Sequence, residues 1–458
     1  MSFAEYHFAD APKIDGHVPG LRSEQLLREQ ELLEGNARSY PRGIPVAFQE
    51  GRGATLQDVD GNLYVDFFGG AGTLNVGHSH PDVLEASIAQ QRKLNHSLDF
   101  PTEAKLRLMR NLKSVLPGTL AGSAKIQFGG PTGSDAVESA LKLSRYHTKR
   151  STIIAFQGSY HGMTTGALAV TSNTRLRTNQ AQPGVHFMPY PYCYRCPLGL
   201  KRDSCGLSCA KYLENALDNS HSGVDKPAAI LVEPIQGEGG TIIPPPGYLR
   251  ELRRIADKHE SVLIFDEIQT GFGRTGAMFA AEHSGVTPDV MTMSKALGGI
   301  GYPISCIAYD KRLDTWEPGA HIGTFRGHQA AMAAGNAAID FMRDSGLPQH
   351  AAELGRHLLD LLNSFAQDSE VIGEVRGQGL MLGIEIVKDK HTKEPWPELV
   401  KEIRTACYKK GLLVEVGGHF SNVVRFLPPL VVTKELAEKG LGIFIEALES
   451  VVRSRQPA

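Results

Sequence analysis

The sequence predicts an α/β protein: a large domain built on a mostly parallel sheet flanked by helices, plus a smaller α+β domain made from both chain ends. Two observations carry this prediction. Between residues 80 and 345, short apolar runs alternate with helical segments, the pattern of a parallel sheet covered on both faces. Outside that stretch the alternation stops. We therefore expect residues 1–79 to form an N-terminal arm and part of the smaller domain, residues 80–345 the large domain, and residues 346–458 the rest of the smaller domain.

The individual elements follow from local patterns. Residues 23–33 predict a helix in the arm, and alternating residues around Asp60-Gly61 predict a hairpin over 54–66. Strands and helices of the other two parts are expected from apolar runs and from helical periodicity. The expected strands are 125–128, 151–156, 228–232, 261–265, 290–293, 379–386 and 422–427, and the clearest helices are 135–143, 247–259 and 350–365.

Composition excludes several functional classes. The chain has 458 residues, 41% of them apolar and 21% charged, and a net charge of −2, which is ordinary for a soluble protein and offers no basic surface for nucleic acid. No apolar run reaches the length needed to span a membrane, and the first residues lack the pattern of a secretion signal. We expect a cytoplasmic protein with neither a nucleic acid nor a membrane partner.

A lysine follows one of the buried runs. In Pro288-Asp-Val-Met-Thr-Met-Ser-Lys-Ala-Leu-Gly-Gly299, the apolar residues of an expected strand lead directly to Lys295. A buried ammonium group is costly unless it is paired or neutral. Lys295 is therefore either a side chain that reaches the surface or an amine with a chemical role.

Ligands of open α/β sheets bind beyond the carboxyl ends of the strands, so the residues after each run matter most. Thr132-Gly133-Ser134 opens into a helix, where free N–H groups suit an anion, although a plain helix cap is the alternative. Asp266 ends an apolar run and needs a partner, either a protonated ring nitrogen of a cofactor or an arginine such as Arg274.

Lys295, Asp266 and the turn before residue 135 together match the needs of one cofactor. Pyridoxal 5′-phosphate (PLP) requires a lysine for its aldehyde, an acid for its ring nitrogen and an anion site for its phosphate. A buried lysine has a lowered pKa and is a good nucleophile and proton carrier. The sequence therefore predicts a PLP enzyme.

A second motif points to a nucleotide instead. Gly271-Phe-Gly-Arg-Thr-Gly276 matches G-x-G-x-x-G after a strand, with Asp289 near the position of a ribose-binding acid. Asp289, however, precedes its apolar run, whereas the nucleotide motif places the acid at the end of a strand. We reject a dinucleotide site.

Four cysteines form a separate cluster in the sequence. Cys193, Cys196, Cys205 and Cys209 have the spacing C-x2-C-x8-C-x3-C, which suits zinc or an iron–sulfur cluster. The alternative is four reduced thiols in a folded loop. Either arrangement would be peripheral, and we predict no metal in the chemistry.

With these residues identified, the chain resembles the class III (ω-) aminotransferases of the PLP fold-type I superfamily from about Tyr40 to Leu430. The resemblance rests on Ile264-Phe-Asp-Glu-Ile-Gln-Thr-Gly-Phe-Gly-Arg-Thr-Gly276 and on Ser294-Lys-Ala-Leu-Gly-Gly299. Gly129-Gly-Pro-Thr-Gly-Ser134, Pro189-Tyr-Pro-Tyr-Cys-Tyr-Arg-Cys196 and Pro318-Gly-Ala-His-Ile-Gly-Thr-Phe-Arg-Gly327 are most similar to the diaminobutyrate:2-oxoglutarate branch.

This resemblance implies roles for individual residues. Lys295 would carry the imine, and Asp266 would pair with the ring nitrogen. Thr324 would reach the phosphate of a neighbouring subunit, which implies a homodimer or a larger assembly. The other implied cofactor contacts are Gly133 and Ser134 to the phosphate, Tyr160 stacked on the ring with His161 nearby, Gln269 at the phenolic oxygen, and Glu233.

The resemblance also implies how two kinds of substrate are accepted. Glu238, in a glycine-flanked loop expected to move, would neutralise Arg425 when an amine-bearing substrate enters. Once released, Arg425 would hold a carboxylate of glutamate or 2-oxoglutarate. The alternative for Arg425 is a structural ion pair. The implied activity is amino transfer from glutamate to a keto or aldehyde acceptor; a decarboxylase or aminomutase on the same fold and a non-catalytic regulator are alternatives.

Three departures from the family pattern lie near the expected site. Met163 stands where many class III enzymes have an arginine that holds a second carboxylate, and His328 replaces the asparagine usual in the diaminobutyrate branch. The loop after Lys295 also lacks the usual leucine before its proline. The acceptor is therefore open between the aspartate semialdehyde of that branch and a more specialised keto acid, such as a cyclic one.

Overall fold

The structure is a computed structural model that describes residues 3–177 and 184–455. Its strands and helices in these residues are numbered in chain order. The strands are β1 Phe48–Arg52, β2 Thr55–Asp58, β3 Leu63–Phe67, β4 Ala124–Phe128, β5 Ile153–Phe156, β6 Val185–Met188, β7 Ala229–Val232, β8 Val262–Asp266, β9 Val290–Met293, β10 Cys306–Asp310, β11 Ile372–Gln378, β12 Met381–Ile386, β13 Leu412–Gly417 and β14 Val423–Phe426. The α-helices are α1 Leu21–Leu33, α2 Tyr40–Gly43, α3 Gly69–Gly72, α4 Pro81–Gln91, α5 Glu103–Val115, α6 Leu120–Ser123, α7 Gly133–Thr148, α8 Thr165–Val170, α9 Ser208–Asp218, α10 Tyr248–Lys258, α11 Ala281–Ser284, α12 Gln329–Asp344, α13 Leu347–Asp368, α14 Pro397–Lys409 and α15 Lys434–Arg455.

The middle of the chain forms one seven-stranded sheet with the order β4-β10-β9-β8-β7-β5-β6. Strands β5 to β9 pair in parallel, and β10 runs antiparallel to both of its neighbours. Strand β4 therefore points the same way as β9. The prediction of a mostly parallel sheet is confirmed, and the carboxyl ends of β4, β5, β7, β8 and β9 lie at one edge.

The two chain ends build the second sheet, whose order is β1-β2-β3-β13-β14-β12-β11. Strand β3 pairs in parallel with β13, so N-terminal and C-terminal segments meet in the middle of this sheet. The predicted hairpin over 54–66 is the antiparallel pair β2 and β3. A smaller unit made from both ends is thus observed; the exact boundaries at residues 79/80 and 345/346 stay a prediction.

Burial explains why the central strands read as continuous apolar runs. Every residue of β7, β8 and β9 is buried, because helices cover both faces of the sheet. Helix α10 in contrast turns Leu252, Ile255 and Ala256 inward and its charged residues outward, which gives it helical periodicity. Strand β8 extends one residue beyond the predicted run and ends on Asp266. None of the helices in residues 3–177 and 184–455 is both long and apolar enough to cross a membrane.

Candidate active site

Lys295 lies directly after β9, at the carboxyl edge of the large sheet. Its φ of 40° places a non-glycine residue in the left-handed region, a strain of about 1–3 kcal/mol that typically marks functional sites. Burial lowers the pKa of the Lys295 amine, although the charges of Glu238 and Glu415 oppose this effect. The lowered pKa makes the neutral, nucleophilic form of this amine easier to reach than for a lysine in water.

Asp266 ends the neighbouring strand β8 and accepts three hydrogen bonds. Its Oδ2 contacts His161 Nδ1 at 2.6 Å, and its Oδ1 accepts from Thr292 Oγ1 at 3.0 Å and from the Ile268 N–H at 3.1 Å. The alternative partner Arg274 is wrong. Its guanidinium instead donates to the carbonyls of residues 380 and 428 and to the side chain of residue 75.

The turn before α7 is predicted to be either a helix cap or an anion site, and its residues divide between these roles. Thr132 caps the helix: its backbone N–H and its hydroxyl both donate to Asp135 Oδ2, at 2.8 and 2.7 Å. Ser134 is not used in that cap, and its Oγ accepts from the Met163 N–H at 3.2 Å. Its hydroxyl hydrogen therefore remains available to a ligand. Gly162 (φ 128°) makes this contact possible, since a Cβ there would lie 2.1 Å from Ser134 Oγ.

Glu233, after β7, joins two loops of the site. It accepts from the Tyr160 N–H at 3.1 Å and from the Gly237 N–H at 2.8 Å. Burial raises the pKa of Glu233 to about 7, with a further rise from the charge of Asp266 that His161 opposes. Glu233 therefore fixes the loop of Tyr160 against the loop that carries Glu238.

Gln269 connects the cofactor end of the site to the arginine end. Its Nε2 donates to the Ala71 carbonyl at 3.2 Å, and its Oε1 lies 3.5 Å from Arg425 Nη1. A side chain at position 237 would meet this amide, because a Cβ on Gly237 would lie 1.9 Å from Gln269 Oε1. The glycine thus lets the two loops approach each other.

Arg425 is fully buried on β14 and meets two carboxylates rather than one. Its Nη2 lies 2.7 Å from Glu238 Oε1 and 3.0 Å from Glu415 Oε1. Glu415 faces Arg425 across the antiparallel pair of β13 and β14. The charges of Glu238 and Glu415 raise the pKa of Arg425, although burial opposes them, so the arginine stays cationic. Burial acts against ionisation of Glu238 too, but Arg425 and Lys295 lower its pKa overall.

Glu415 is the site residue that sequence reasoning missed. Its signal was present: a single acid interrupts the buried apolar strand Leu412-Leu-Val-Glu-Val416. A lone charge in an apolar run singled out Lys295 as well. The difference is that Glu415 lies inside its strand rather than after it.

The loop that carries Glu238 is held at its backbone. The Glu238 carbonyl accepts from the Gly418 N–H at 2.9 Å, and Arg376 donates to the carbonyls of Gly240 and Thr241 at 2.7 to 3.0 Å. Arg376 is itself buried and paired with acids of its own sheet. The sequence predicts a loop that moves. These bonds hold its backbone, so we expect movement of the Glu238 side chain rather than of the whole loop.

Thr324 lies apart from the other predicted site residues of the same chain. It lies in an exposed turn, and its carbonyl accepts from His96 Nε2 at 2.7 Å. Of the three departures, Met163 is exposed beside the turn before α7, whereas His328 caps helix α12 by accepting from the Ala331 N–H at 3.1 Å. Asparagine is a common helix cap too, so the His328 departure is structural in this chain.

The rejected nucleotide motif is part of the core. Gly271, Phe272 and Gly273 are buried, and Asp289 is held by Arg253 at 2.9 Å and by the Leu263 N–H at 2.7 Å. Asp289 is therefore not free to bind a ribose.

The four cysteines of the loop converge on one small cavity of about 20 Å³. They are free thiols. Among residues 3–177 and 184–455, no three His, Cys, Asp or Glu side chains are arranged to hold a metal ion. The choice between a peripheral metal and four reduced thiols stays a prediction.

The polar groups at the sheet edge fit PLP. They comprise an amine of lowered pKa, a carboxylate at a strand end and a helix start with a spare hydroxyl. In the part of the chain that the structure describes, the buried atoms of the site that have no partner include His161 Nε2, Glu415 Oε2 and Arg425 Nε. Unpaired buried polar atoms are rare in folded proteins and are expected where a ligand binds.

Comparisons with known proteins agree with this geometry. The family model of the class-III aminotransferases matches residues 37–448. A diaminobutyrate–2-oxoglutarate aminotransferase of Haemophilus influenzae is 42% identical over 446 residues, covering 94% of this chain and 97% of that protein. One of Rhizobium meliloti is 41% identical and covers 93% of each chain.

Solved structures give the same result. A Bacillus anthracis aminotransferase superposes with a TM-score of 0.86 at 27% identity, covering 95% of this chain and all of that one. A PLP-bound amine transaminase from an uncultivated Pseudomonas species superposes with a TM-score of 0.81 at 30% identity, covering 92% and 97%. The expected fold-type I architecture, PLP and aminotransferase activity are confirmed, and the regulator alternative is set aside. The chain belongs to the class-III aminotransferases, enzymes that use pyridoxal 5′-phosphate.

Proposed function

We propose that this enzyme transfers an amino group from glutamate to an aldehyde or keto acceptor of the diaminobutyrate type. The observation that carries this proposal is Arg425, a buried cation that shares one nitrogen between Glu238 and Glu415 at 2.7 and 3.0 Å. An arginine offers a fork that suits a carboxylate, and a removable acid beside it lets a substrate without that carboxylate enter. The named activity of the relatives, at 41–42% identity over more than 90% of the chain, supports the same substrates.

Bound PLP supplies an aldehyde and an electron-withdrawing ring. We assign Lys295 to covalent attachment and to carrying the proton at its Nζ, which its lowered pKa favours. Asp266 would keep the ring nitrogen protonated, and His161 and Thr292 orient its carboxylate. Gly133 and Ser134 at the start of α7 would bind the phosphate.

Two further residues would hold the ring: Tyr160 would stack on it and Gln269 would contact its phenolic oxygen. Glu233 fixes the loop of Tyr160 through the 3.1 Å bond. Glu233 acts through Tyr160 and is a positioning residue.

Glutamate and the amine product meet the same arginine in different ways. When glutamate enters, its α-carboxylate takes the place of the Glu238 side chain at Arg425. When a carbon without a carboxylate lies there, Glu238 stays on the arginine and neutralises it. Met163 provides no charge for a second carboxylate, so the far end of the substrate must be held by other residues.

We further propose that the working unit is a homodimer or a larger assembly in the cytoplasm. Thr324 would then contact the phosphate bound by a neighbouring subunit. The apolar side chains around it support this, because Ile322 is 74% and Phe325 67% exposed in a single chain.

The acceptor is tested by single turnover. Holoenzyme mixed with glutamate alone should release one equivalent of 2-oxoglutarate per site and no carbon dioxide. The treated enzyme is then offered aspartate semialdehyde and a panel of linear and cyclic keto acids. Carbon dioxide release, or no 2-oxoglutarate, would refute amino transfer from glutamate. A marked preference for cyclic acceptors would refute the diaminobutyrate-type acceptor alone.

A further inference from the structure

Arg425 is paired with two carboxylates, Glu238 and Glu415, although one would be enough to neutralise its charge. Glu238 and Glu415 approach the same nitrogen of Arg425, at 2.7 and 3.0 Å, so their oxygens face each other across it. The two differ in freedom: the Glu238 side chain is 37% exposed and that of Glu415 is 7% exposed. Glu415 is thus the fixed member of the pair and Glu238 the removable one.

The second oxygen of Glu415 has no partner. Among the residues that the structure describes, nothing hydrogen-bonds to the buried Oε2 atom. An ionised carboxylate with an unpaired, buried oxygen is unfavourable, whereas a protonated one carries less charge into the interior. The geometry therefore favours an exchangeable proton at Glu415.

The charged and titratable groups around Glu415 come from several elements. Arg425 on β14 and Lys295 after β9 lower its pKa, while Glu238 after β7 and Asp66 on β3 raise it, and Tyr40 of α2 lies within electrostatic reach. Burial is the largest influence and raises the pKa of Glu415 to about 7. The group can thus exchange a proton near neutral pH.

A carboxylate that binds Arg425 brings an additional negative charge to this cluster. The Glu238 backbone is fixed by the 2.9 Å bond from the Gly418 N–H, so its displaced carboxylate stays within the length of its own side chain. A Cβ at position 417 would lie 2.8 Å from Arg425 Nε, and glycine leaves that space open. Two mobile or incoming carboxylates then surround Glu415 where one did before, and like charges favour its neutral form.

We propose that Glu415 is a proton-linked specificity residue: it takes up a proton from solvent when a substrate carboxylate binds Arg425, and releases it when an end without a carboxylate lies there. This inference rests on the proposed function, in which Arg425 is the carboxylate receptor. Glu415 matches the charge of the pocket to the charge of the substrate, so one pocket can serve a dicarboxylate and an amine-bearing partner.

The sign of the linkage follows from the direction of the change. Below about pH 7, Glu415 already carries its proton and anion binding takes up none. Above that pH the free enzyme has lost the proton while the anion-bound enzyme keeps it, so binding takes up close to one proton and weakens by up to about tenfold per pH unit. The effect ends above the higher pKa of the anion-bound state.

Glutarate, a dicarboxylate without an amino group, is a suitable probe. Calorimetric titration of the holoenzyme in two buffers of different protonation enthalpy counts the protons taken up. Wild type should take up most of one proton at about pH 8 and almost none at about pH 6. Glu415→Gln, which mimics the neutral form, should take up at least half a proton less at about pH 8 and show a flatter dependence of affinity on pH. Glu446→Gln, an exposed acid paired with Lys410 on the surface, is the matched control and should behave as wild type.

A second measurement uses wild type alone and so does not depend on the folding of a variant. Isotope-edited infrared difference spectra should show a protonated carboxyl band when glutarate binds at about pH 8. Unchanged proton uptake in Glu415→Gln, or no such band in wild type, would overturn the inference. Arg425→Ala separates it from the proposed function: if that variant binds glutarate normally, Arg425 is not the receptor and the proposed function fails first. If Arg425→Ala weakens glutarate binding but Glu415→Gln leaves proton uptake unchanged, Arg425 is the carboxylate receptor and the inference about Glu415 is wrong.

Discussion

Asp266 and Glu415 are both buried carboxylates of one site, but their surroundings differ. Asp266 accepts hydrogen bonds from a histidine, a threonine and a backbone N–H, at 2.6 to 3.1 Å. Glu415 shares one arginine nitrogen with a second acid and keeps one oxygen without a partner among the described residues. The first arrangement satisfies a carboxylate with fixed hydrogen-bond donors, and the second suits a carboxylate whose charge changes with the ligand.

The comparison separates the site into two ends. In the proposed function, the end around Lys295 and Asp266 performs chemistry that is the same for every substrate, which suits fixed partners. The end around Arg425 would accept different substrates in turn, which suits shared and replaceable partners. The following variants test that division, from the largest expected effect to the smallest.

Lys295→Ala removes the nucleophile of the fixed end. We expect turnover to fall more than about 1000-fold, because loss of a covalent nucleophile costs at least that much in other enzymes. The absorption band of covalently held cofactor should vanish while the circular dichroism spectrum stays the same. Lys311→Ala, at an exposed lysine, is the control. Normal turnover without Lys295 would end the proposal that it carries the cofactor.

Asp266→Asn replaces the permanent charge by a neutral amide of similar shape. We expect kcat to fall by about 100-fold, or ~3 kcal/mol, the usual cost of losing one preorganised electrostatic contact. Cofactor should still bind, as measured by its absorption after gel filtration. Unchanged kinetics would show that Asp266 only supports the fold.

Arg425→Ala and Glu238→Ala test the replaceable end. Without Arg425, KM for glutamate should rise about 30-fold. This corresponds to the loss of ~2 kcal/mol of binding free energy, the value of a charge-assisted hydrogen bond. Without Glu238, glutamate should react nearly as well, while the amine-bearing partner should bind more weakly because the arginine charge is exposed to it. The two half-reactions are measured separately by single turnover. Equal effects of Arg425→Ala on both half-reactions would show that no switch operates.

Thr324→Ala should have the smallest effect, since it removes one hydrogen bond worth ~1 kcal/mol. We expect cofactor affinity to fall about fivefold and to fall further when the assembly is diluted to monomers. Thr405→Ala, at an exposed threonine whose hydroxyl donates to the Lys401 carbonyl, is the control. A monomer that retains cofactor and activity would refute a shared site.

The sequence predicted the fixed end well because its residues follow apolar runs directly. Parallel strands place their carboxyl ends at one edge, so Ser134, Asp266 and Lys295 could be assigned to one site from their positions after β4, β8 and β9. It did not show which side chain would contact Asp266. The alternative partner Arg274 lies elsewhere and His161 takes that place, because a side chain's partner depends on contacts between segments 105 residues apart.

By itself, the sequence determined the fold class, the cofactor and the lysine, since these follow from local periodicity and from residue types at strand ends. Only the tertiary structure decided that Glu415 meets Arg425, because that contact requires β13 and β14 to pair in one particular register. It also decided that the Glu238 loop is held, through Arg376, whose position 138 residues further along the chain gives no local signal. Local pattern fixes which groups exist, and packing between distant segments decides which of them share a proton or a charge.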